Sequence, residues 1–232
     1  MIRTVFYDIG WTLVRPASGD WTFTKRFFEV FPAVSPDDLK IRKFRDALSE
    51  AFRPLRENPG MKDIAEQKER YTVFYKTFCS LYNLPCDDHT AADLAQDISC
   101  NDRNMLALDT VYETLDALKR AGIRLQLISD TWPNIETQMD ALHLTDYFDH
   151  CTYSYRLGTN KPSPMMYADA LEHCGCSPRE CLFIDDIPAN LEGAEKFGIR
   201  GIQSLADPGR KSDPRFPGIA RPYDLIRLLQ EE

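Results

Sequence analysis

Two short apolar runs, far apart in the chain, each stop abruptly on acid. Ile2-Arg3-Thr4-Val5-Phe6-Tyr7 is mostly β-branched and aromatic, reads as a strand, and is followed at once by Asp8. Cys181-Leu182-Phe183-Ile184 is a second apolar strand, followed by Asp185-Asp186, then Pro188 and a helix-like run. In open α/β sheets ligands bind outside the carboxyl ends of the strands, the usual address for chemistry. Two strand-end acids from distant parts of one chain therefore suggest a shared cation site.

The rest of the chain supports such a sheet, with one long interruption. Arg15-Pro16-Ala17-Ser18-Gly19-Asp20 reads as a turn-rich hinge. From Trp21 to about Leu94 no strand pattern occurs. Phe44, Leu48, Ala51, Phe52 and then Tyr71, Phe74, Tyr75, Phe78, Leu81 recur at helical spacing, with breaks at Phe31-Pro32, Ser35-Pro36, Asn58-Pro59-Gly60 and Leu84-Pro85. This predicts a helical insert of roughly four or five helices. Strand and helix then alternate: a helix carrying Val111, Leu115 and Leu118, a strand Ile123–Ser129, a helix near 133–142, a strand near 151–153, a helix near 164–174, the Cys181 strand, a helix 189–197 and a last strand at Gly201-Ile202-Gln203. Residues 205–222 read as a surface loop before a short C-terminal helix. The predicted fold class is α/β: a Rossmann-like doubly wound parallel sheet from residues 1–15 and 99–232, with residues 16–98 inserted as an α-helical cap.

Composition narrows the partners. A net charge of −8 with no basic run argues against nucleic-acid and anionic-membrane binding. No window approaches the ~18 consecutive apolar residues of a membrane span, and the N-terminus lacks the pattern of a secretory leader. The seven cysteines have no paired C-x-x-C spacing and read as reduced thiols in a cytoplasmic protein. Nothing in the sequence sets an oligomeric state.

Other strand ends complete the chemistry. Leu125-Gln126-Leu127-Ile128-Ser129-Asp130 puts a hydroxyl at a strand tip, and Gly158-Thr159-Asn160-Lys161-Pro162 puts an ammonium in a loop before a helix. Taken singly, Asp8 is a turn or capping residue, Ser129 a helix cap, Lys161 a solvated charge and Asp185-Asp186 a capping pair. Taken together, they are a nucleophile, a phosphate-oxygen donor, a cation and a metal ligand, the parts phosphoryl transfer requires. A sparse set of oxygen ligands suits Mg2+, which keeps several waters. The four histidines are scattered and read as ordinary surface or core residues.

The ordered blocks Phe6-Tyr7-Asp8-Ile9-Gly10-Trp11-Thr12-Leu13, Leu127-Ile128-Ser129-Asp130, Asn160-Lys161-Pro162 and Phe183-Ile184-Asp185-Asp186-Ile187-Pro188-Ala189-Asn190-Leu191-Glu192-Gly193-Ala194 resemble the haloacid-dehalogenase-like (HAD) hydrolase superfamily, most closely its phosphatase branches. The resemblance implies a magnesium-dependent phosphatase acting on a small phosphorylated metabolite, sugar phosphates included, with Asp8 forming an aspartyl-phosphate. It implies Mg2+ held by Asp8, the Gly10 carbonyl and Asp186, with Asp185 and Asn190 as ligand or support. Ser129 and Lys161 would bind phosphoryl oxygens, Thr12 would support the first loop, and Asp130 would lie beside the phosphate.

Gly10 departs from the pattern. Most phosphatases of this family carry a second Asp there, which protonates the leaving group, although some sugar-phosphatase-like members also read D-x-G. The departure keeps two alternatives open: a non-catalytic metabolite or partner binder, and a 2-haloacid dehalogenase, which also lacks that Asp but needs no metal. The acidic pair Asp185-Asp186 counts against the dehalogenase. Without a donor, substrates whose leaving groups depart as stable anions, such as p-nitrophenyl phosphate or an anomeric sugar phosphate, should be preferred. Asp130 could replace the donor through a water, and glycine at position 10 could hold a backbone angle closed to Asp.

Overall fold

The structure is a computed structural model and describes residues 1–230. The elements run β1 (Thr4–Tyr7), β2 (Val14–Pro16), α1 (Lys25–Val30), α2 (Arg42–Glu57), α3 (Ile64–Tyr82), α4 (Asp88–Cys100), β3 (Met105–Ala107), α5 (Val111–Arg120), β4 (Arg124–Ser129), α6 (Ile135–Ala141), β5 (His150–Tyr153), α7 (Ser154–Leu157), α8 (Pro164–Cys174), β6 (Cys181–Asp185), α9 (Pro188–Glu195), β7 (Arg200–Ser204), β8 (Gly218–Ile219) and α10 (Asp224–Gln230). The main sheet is parallel, in the order β5-β4-β1-β6-β7-β8. β1 is therefore central, and the chain leaves it toward both edges, which opens the crevice where α/β sheets bind ligands.

Register decides which side chains meet. Tyr7 is level with Leu127 of β4 and with Ile184 of β6. Asp8, Ser129 and Asp185-Asp186 thus emerge from three adjacent strands at nearly one height. The strands are buried on both faces, as parallel strands between helices must be. Val5, Tyr7, Leu125, Leu127, Leu182 and Ile184 point to one side, where a single apolar cluster runs on through α5 and into the aromatic interior of the helical insert. Phe6, Ile128 and Phe183 point to the other and pack on Met166, Tyr167 and Ala170 of α8 and Leu191 and Ala194 of α9.

Three local readings need correction. Arg15 and Pro16, the first residues of the turn-rich hinge, belong to β2, which pairs antiparallel with β3, so the two ends of the helical insert leave the core side by side. Such a short ribbon carries too few residues for a visible alternation. The supposed surface loop 205–222 contributes β8 to the sheet edge and buries Phe216. Leu81, assigned to the apolar stripe of α3, is 43% exposed, because the inward face at that end is completed by Tyr82. No helix among the described residues is long and apolar enough to cross a membrane.

Phe23 anchors the interior of the insert. It is fully buried, with its ring 4.5, 5.1 and 4.8 Å from those of Phe27, Phe44 and Phe78. Phe23→Ala should cost ~3–5 kcal/mol in urea unfolding. A loss below ~1 kcal/mol would show that these rings repack around the gap.

Candidate active site

Lys161 is the hub. Its Nζ donates to Asp8 Oδ1 at 2.6 Å, to Asp185 Oδ2 at 2.6 Å and to the Ile128 carbonyl at 3.0 Å. One ammonium thus ties together the ends of β1, β4 and β6, and only 1% of its side chain is exposed. Its own loop is held in turn by Asp130, whose Oδ1 accepts from the Lys161 backbone N–H at 2.9 Å. Burial alone would favour a neutral amine, but the charges of Asp185, Asp8 and Asp130 outweigh it and raise the Lys161 pKa.

The carboxylates are not equivalent. Asp185 Oδ1 accepts from the Ile187 N–H at 2.8 Å and from Asn190 Nδ2 at 3.1 Å, while Oδ2 takes Lys161 and the same Asn190 amide. Both oxygens of Asp185 are therefore engaged within the protein, and it braces Lys161. Asp186, the next residue, points the other way. Its Oδ2 accepts from Arg210 Nε at 3.0 Å and Nη2 at 2.6 Å. Asp8, Asp185 and Asp186 still lie close enough for one oxygen of each to fall within 4.8 Å of the others. Burial first, and the Asp8 charge second or third, push Asp185 and Asp186 above the ordinary aspartate range, against the pull of Lys161 and Arg210.

These groups head a cavity of about 420 Å³. Asp8, Gly10, Ser129, Asp130, Lys161, Asp186 and Asn190 line one end, and Phe52, Gln67, Tyr71 and Ile98 of the helical insert close the other. Ser129 is buried at the tip of β4. Thr12 is buried beside the cavity, and its hydroxyl has no hydrogen-bond partner among the described residues. Every residue anticipated from the sequence thus falls in or next to this one region, although Thr12 and Asp185 are not part of the cavity wall.

Gly10 does not hold the backbone angle closed to Asp that the sequence left open. The left-handed backbone falls on the following Trp11, at φ 53°, while Gly10 does not have a positive φ. What limits a side chain at position 10 is Trp21, whose Cζ2 lies 3.2 Å from where a Cβ would stand. A side chain at position 10 would require the Trp21 ring to give by a few tenths of an ångström.

Arg210, which pairs with Asp186 in the cavity wall, was not singled out from the sequence. It lies in the loop after β7, so the strand-end rule that found Asp8 and Ser129, applied to the last long strand, leads to it. The aromatic walls Trp11, Trp21 and Trp132 carried no sequence signal, because ligand-facing and core-facing rings look alike in a string of letters.

Comparison with known proteins agrees with this geometry. The family model described as "Hydrolase: haloacid dehalogenase-like hydrolase" matches residues 4–198. Flavin mononucleotide hydrolase 1 of Arabidopsis thaliana is 32% identical over 97 residues, 41% of this chain and 39% of that protein. Pyrophosphatase PpaX of Bacillus velezensis is 31% identical over 144 residues, 57% of this chain and 66% of that protein. The matched region thus spans less than two thirds of the length of each of these relatives. Among solved structures, the L-2-haloacid dehalogenase RSc1362 superposes with a TM-score of 0.73 at 22% identity, covering 99% of both chains, a likeness of fold. With a strand-end aspartate, a buried lysine and an acidic pair converging on a parallel sheet, and a family match across most of its length, this chain belongs to the haloacid dehalogenase-like hydrolases.

Proposed function

We propose that this protein is a cytoplasmic, magnesium-dependent phosphatase that hydrolyses a small phosphorylated metabolite through an aspartyl-phosphate on Asp8. The observation that carries the reading is the buried Lys161 ammonium, shared between Asp8 and Asp185 at the head of a cavity large enough for a small molecule. The phosphatase and hydrolase names of the two curated relatives support it, and the seven free thiols fit a reducing compartment. Residues 1–15 and 99–232 serve as the catalytic core and 16–98 as the cap that closes the cavity.

The donor set fits a hard divalent cation. Asp8, Asp130, Asp185 and Asp186 outnumber Lys161 and Arg210, so a phosphate dianion could not enter without added positive charge. Asp8, Asp186 and the Gly10 carbonyl would hold magnesium, while Asp185, its oxygens already engaged, positions Lys161. When bound, the ion would neutralise charge on the phosphoryl oxygens and draw them toward the nucleophile.

Asp8 attacks phosphorus as its Asp8–phosphate bond forms and the bond to the ester oxygen breaks, the electron pair leaving with that oxygen. The Lys161 ammonium and the Ser129 hydroxyl bind the equatorial oxygens, where charge spreads in the transition state. Asp130 keeps Lys161 in place through the backbone N–H. Water then attacks phosphorus, releasing phosphate and restoring Asp8. A haloacid dehalogenase would need neither the metal nor the carboxylate of Asp186, and a non-catalytic binder would release no phosphate. Chelator-sensitive phosphate release from generic esters separates the phosphatase from the other two.

Asp8→Asn should abolish turnover, and the wild type should bind beryllium fluoride at Asp8 in the presence of magnesium. Turnover above about a tenth of wild type in that variant would exclude the covalent route. Asp186→Asn should weaken magnesium binding ~10-fold or more by calorimetry; unchanged affinity would remove Asp186 from the metal site.

The raised pKa values of Asp185 and Asp186 also fix a sign. Both take up protons more readily folded than unfolded, so in chelator the folded state should gain stability as pH falls from about 8 toward about 5. Magnesium, which binds the ionised carboxylates, should flatten that slope. Thermal melts showing stability in chelator falling over this range would contradict the crowding of charge described here.

A further inference from the structure

The wall of the cavity describes the rest of the substrate. Trp21 covers Gly10, with its Cζ2 3.2 Å from the Cβ position, and Trp11 meets it edge to face at 6.2 Å. Across the tip of β4, Trp132 follows Ser129-Asp130-Thr131 and lies 6.4 Å from both Tyr71 and Phe52. All five rings line the cavity. Aromatic rings attract flat partners in stacked or edge-on geometry.

Two polar groups of the same wall lack a partner among the described residues. Gln67 is fully buried and lines the cavity; its Oε1 accepts from the Asn134 N–H at 3.0 Å, and its Nε2 has no partner among the described residues. Thr24, also lining the cavity and buried, has an unpartnered hydroxyl as well. A buried amide donor left alone is costly, so a ligand atom that accepts its hydrogen bond recovers that cost. Two such groups suit a ring with one or two polar substituents.

The missing acid points the same way. A proton donor for the leaving group is worth ~10²–10⁴-fold, and at position 10 there is no side chain, only the Trp21 ring against it. An oxygen attached directly to an aromatic ring leaves as an anion with a conjugate-acid pKa of about 10, as in tyrosine, and has little need of such help.

We propose that the substrate is an aryl phosphate, a flat aromatic ring carrying the phosphate on a ring oxygen, held between these tryptophans with a ring substituent accepting from Gln67. This rests on the phosphatase reading above and names its substrate class. Asp8 displaces the aryl oxygen from phosphorus, and the P–O(aryl) electron pair leaves as aryloxide, which takes a proton from water. Hydrolysis of the aspartyl-phosphate by water then gives phosphate.

Three esters test it: phenyl, benzyl and cyclohexylmethyl phosphate, with magnesium present. Phenyl and benzyl share a ring and differ in leaving group; benzyl and cyclohexylmethyl share an alkoxide leaving group and differ in flatness. The kcat/KM for phenyl phosphate should exceed that for benzyl by ~100-fold or more. Benzyl should exceed cyclohexylmethyl phosphate by ~10-fold in kcat/KM, carried mainly by KM. Trp132→Leu should shrink that second ratio more than the first. Equal kcat/KM for phenyl and benzyl, or equal KM for benzyl and cyclohexylmethyl, would overturn the proposal. If no ester is hydrolysed, the phosphatase reading fails, and calorimetry decides the ring separately. Phenylphosphonate binding ~10-fold tighter than cyclohexylphosphonate would uphold the aromatic site, and equal affinities would overturn it.

Discussion

A single ammonium, buried between two carboxylates, couples this fold to its chemistry. Lys161 reaches Asp8, Asp185 and the Ile128 carbonyl within hydrogen-bond distance. Those atoms belong to three neighbouring strands, so the lysine fixes the height and spacing of strand ends that would otherwise repel one another. Removing one partner of such a buried set strands the other charges, which typically costs ~3–5 kcal/mol. The arrangement is therefore stable only as a unit, and the loop carrying Lys161 is fastened to β4 through Asp130 as well.

The same electrostatics divides labour among neighbouring aspartates. Asp185 faces inward to Lys161, Asn190 and a backbone N–H, while Asp186 faces the cavity and meets Arg210. One peptide step reverses the direction of the side chain, as at any strand end. An acidic pair at this point thus supplies one inward brace and one carboxylate that faces the cavity. With Arg210 on Asp186, the outward group already carries positive charge from the loop after β7.

How much of this was legible follows from the range of each interaction. Asp8, Ser129, Lys161 and Asp186 stand out because short apolar strands and the turns after them are local patterns. The sheet class and the helical insert follow from the same periodicities. Arg210 reaches Asp186 from 24 residues away across a loop with no pattern of its own. The β2–β3 ribbon joins segments separated by the whole insert. Which aromatic rings face the cavity is decided by packing between α2, α3 and the tip of β4, where helical spacing reads the same for core and wall. At position 10 the sequence invited a backbone explanation; the strained angle belongs to Trp11, and the obstacle to a larger residue is the ring of Trp21.

The central claim is that Asp8 becomes phosphorylated during turnover. Rapid mixing of the magnesium-loaded protein with phenyl phosphate, acid quenching and mass spectrometry of the peptide containing Asp8 tests it directly. The account predicts one phosphoryl group on Asp8 at early times, appearing before free phosphate and lost on chase. Free phosphate accumulating while the Asp8 peptide stays unmodified at every time point would contradict it.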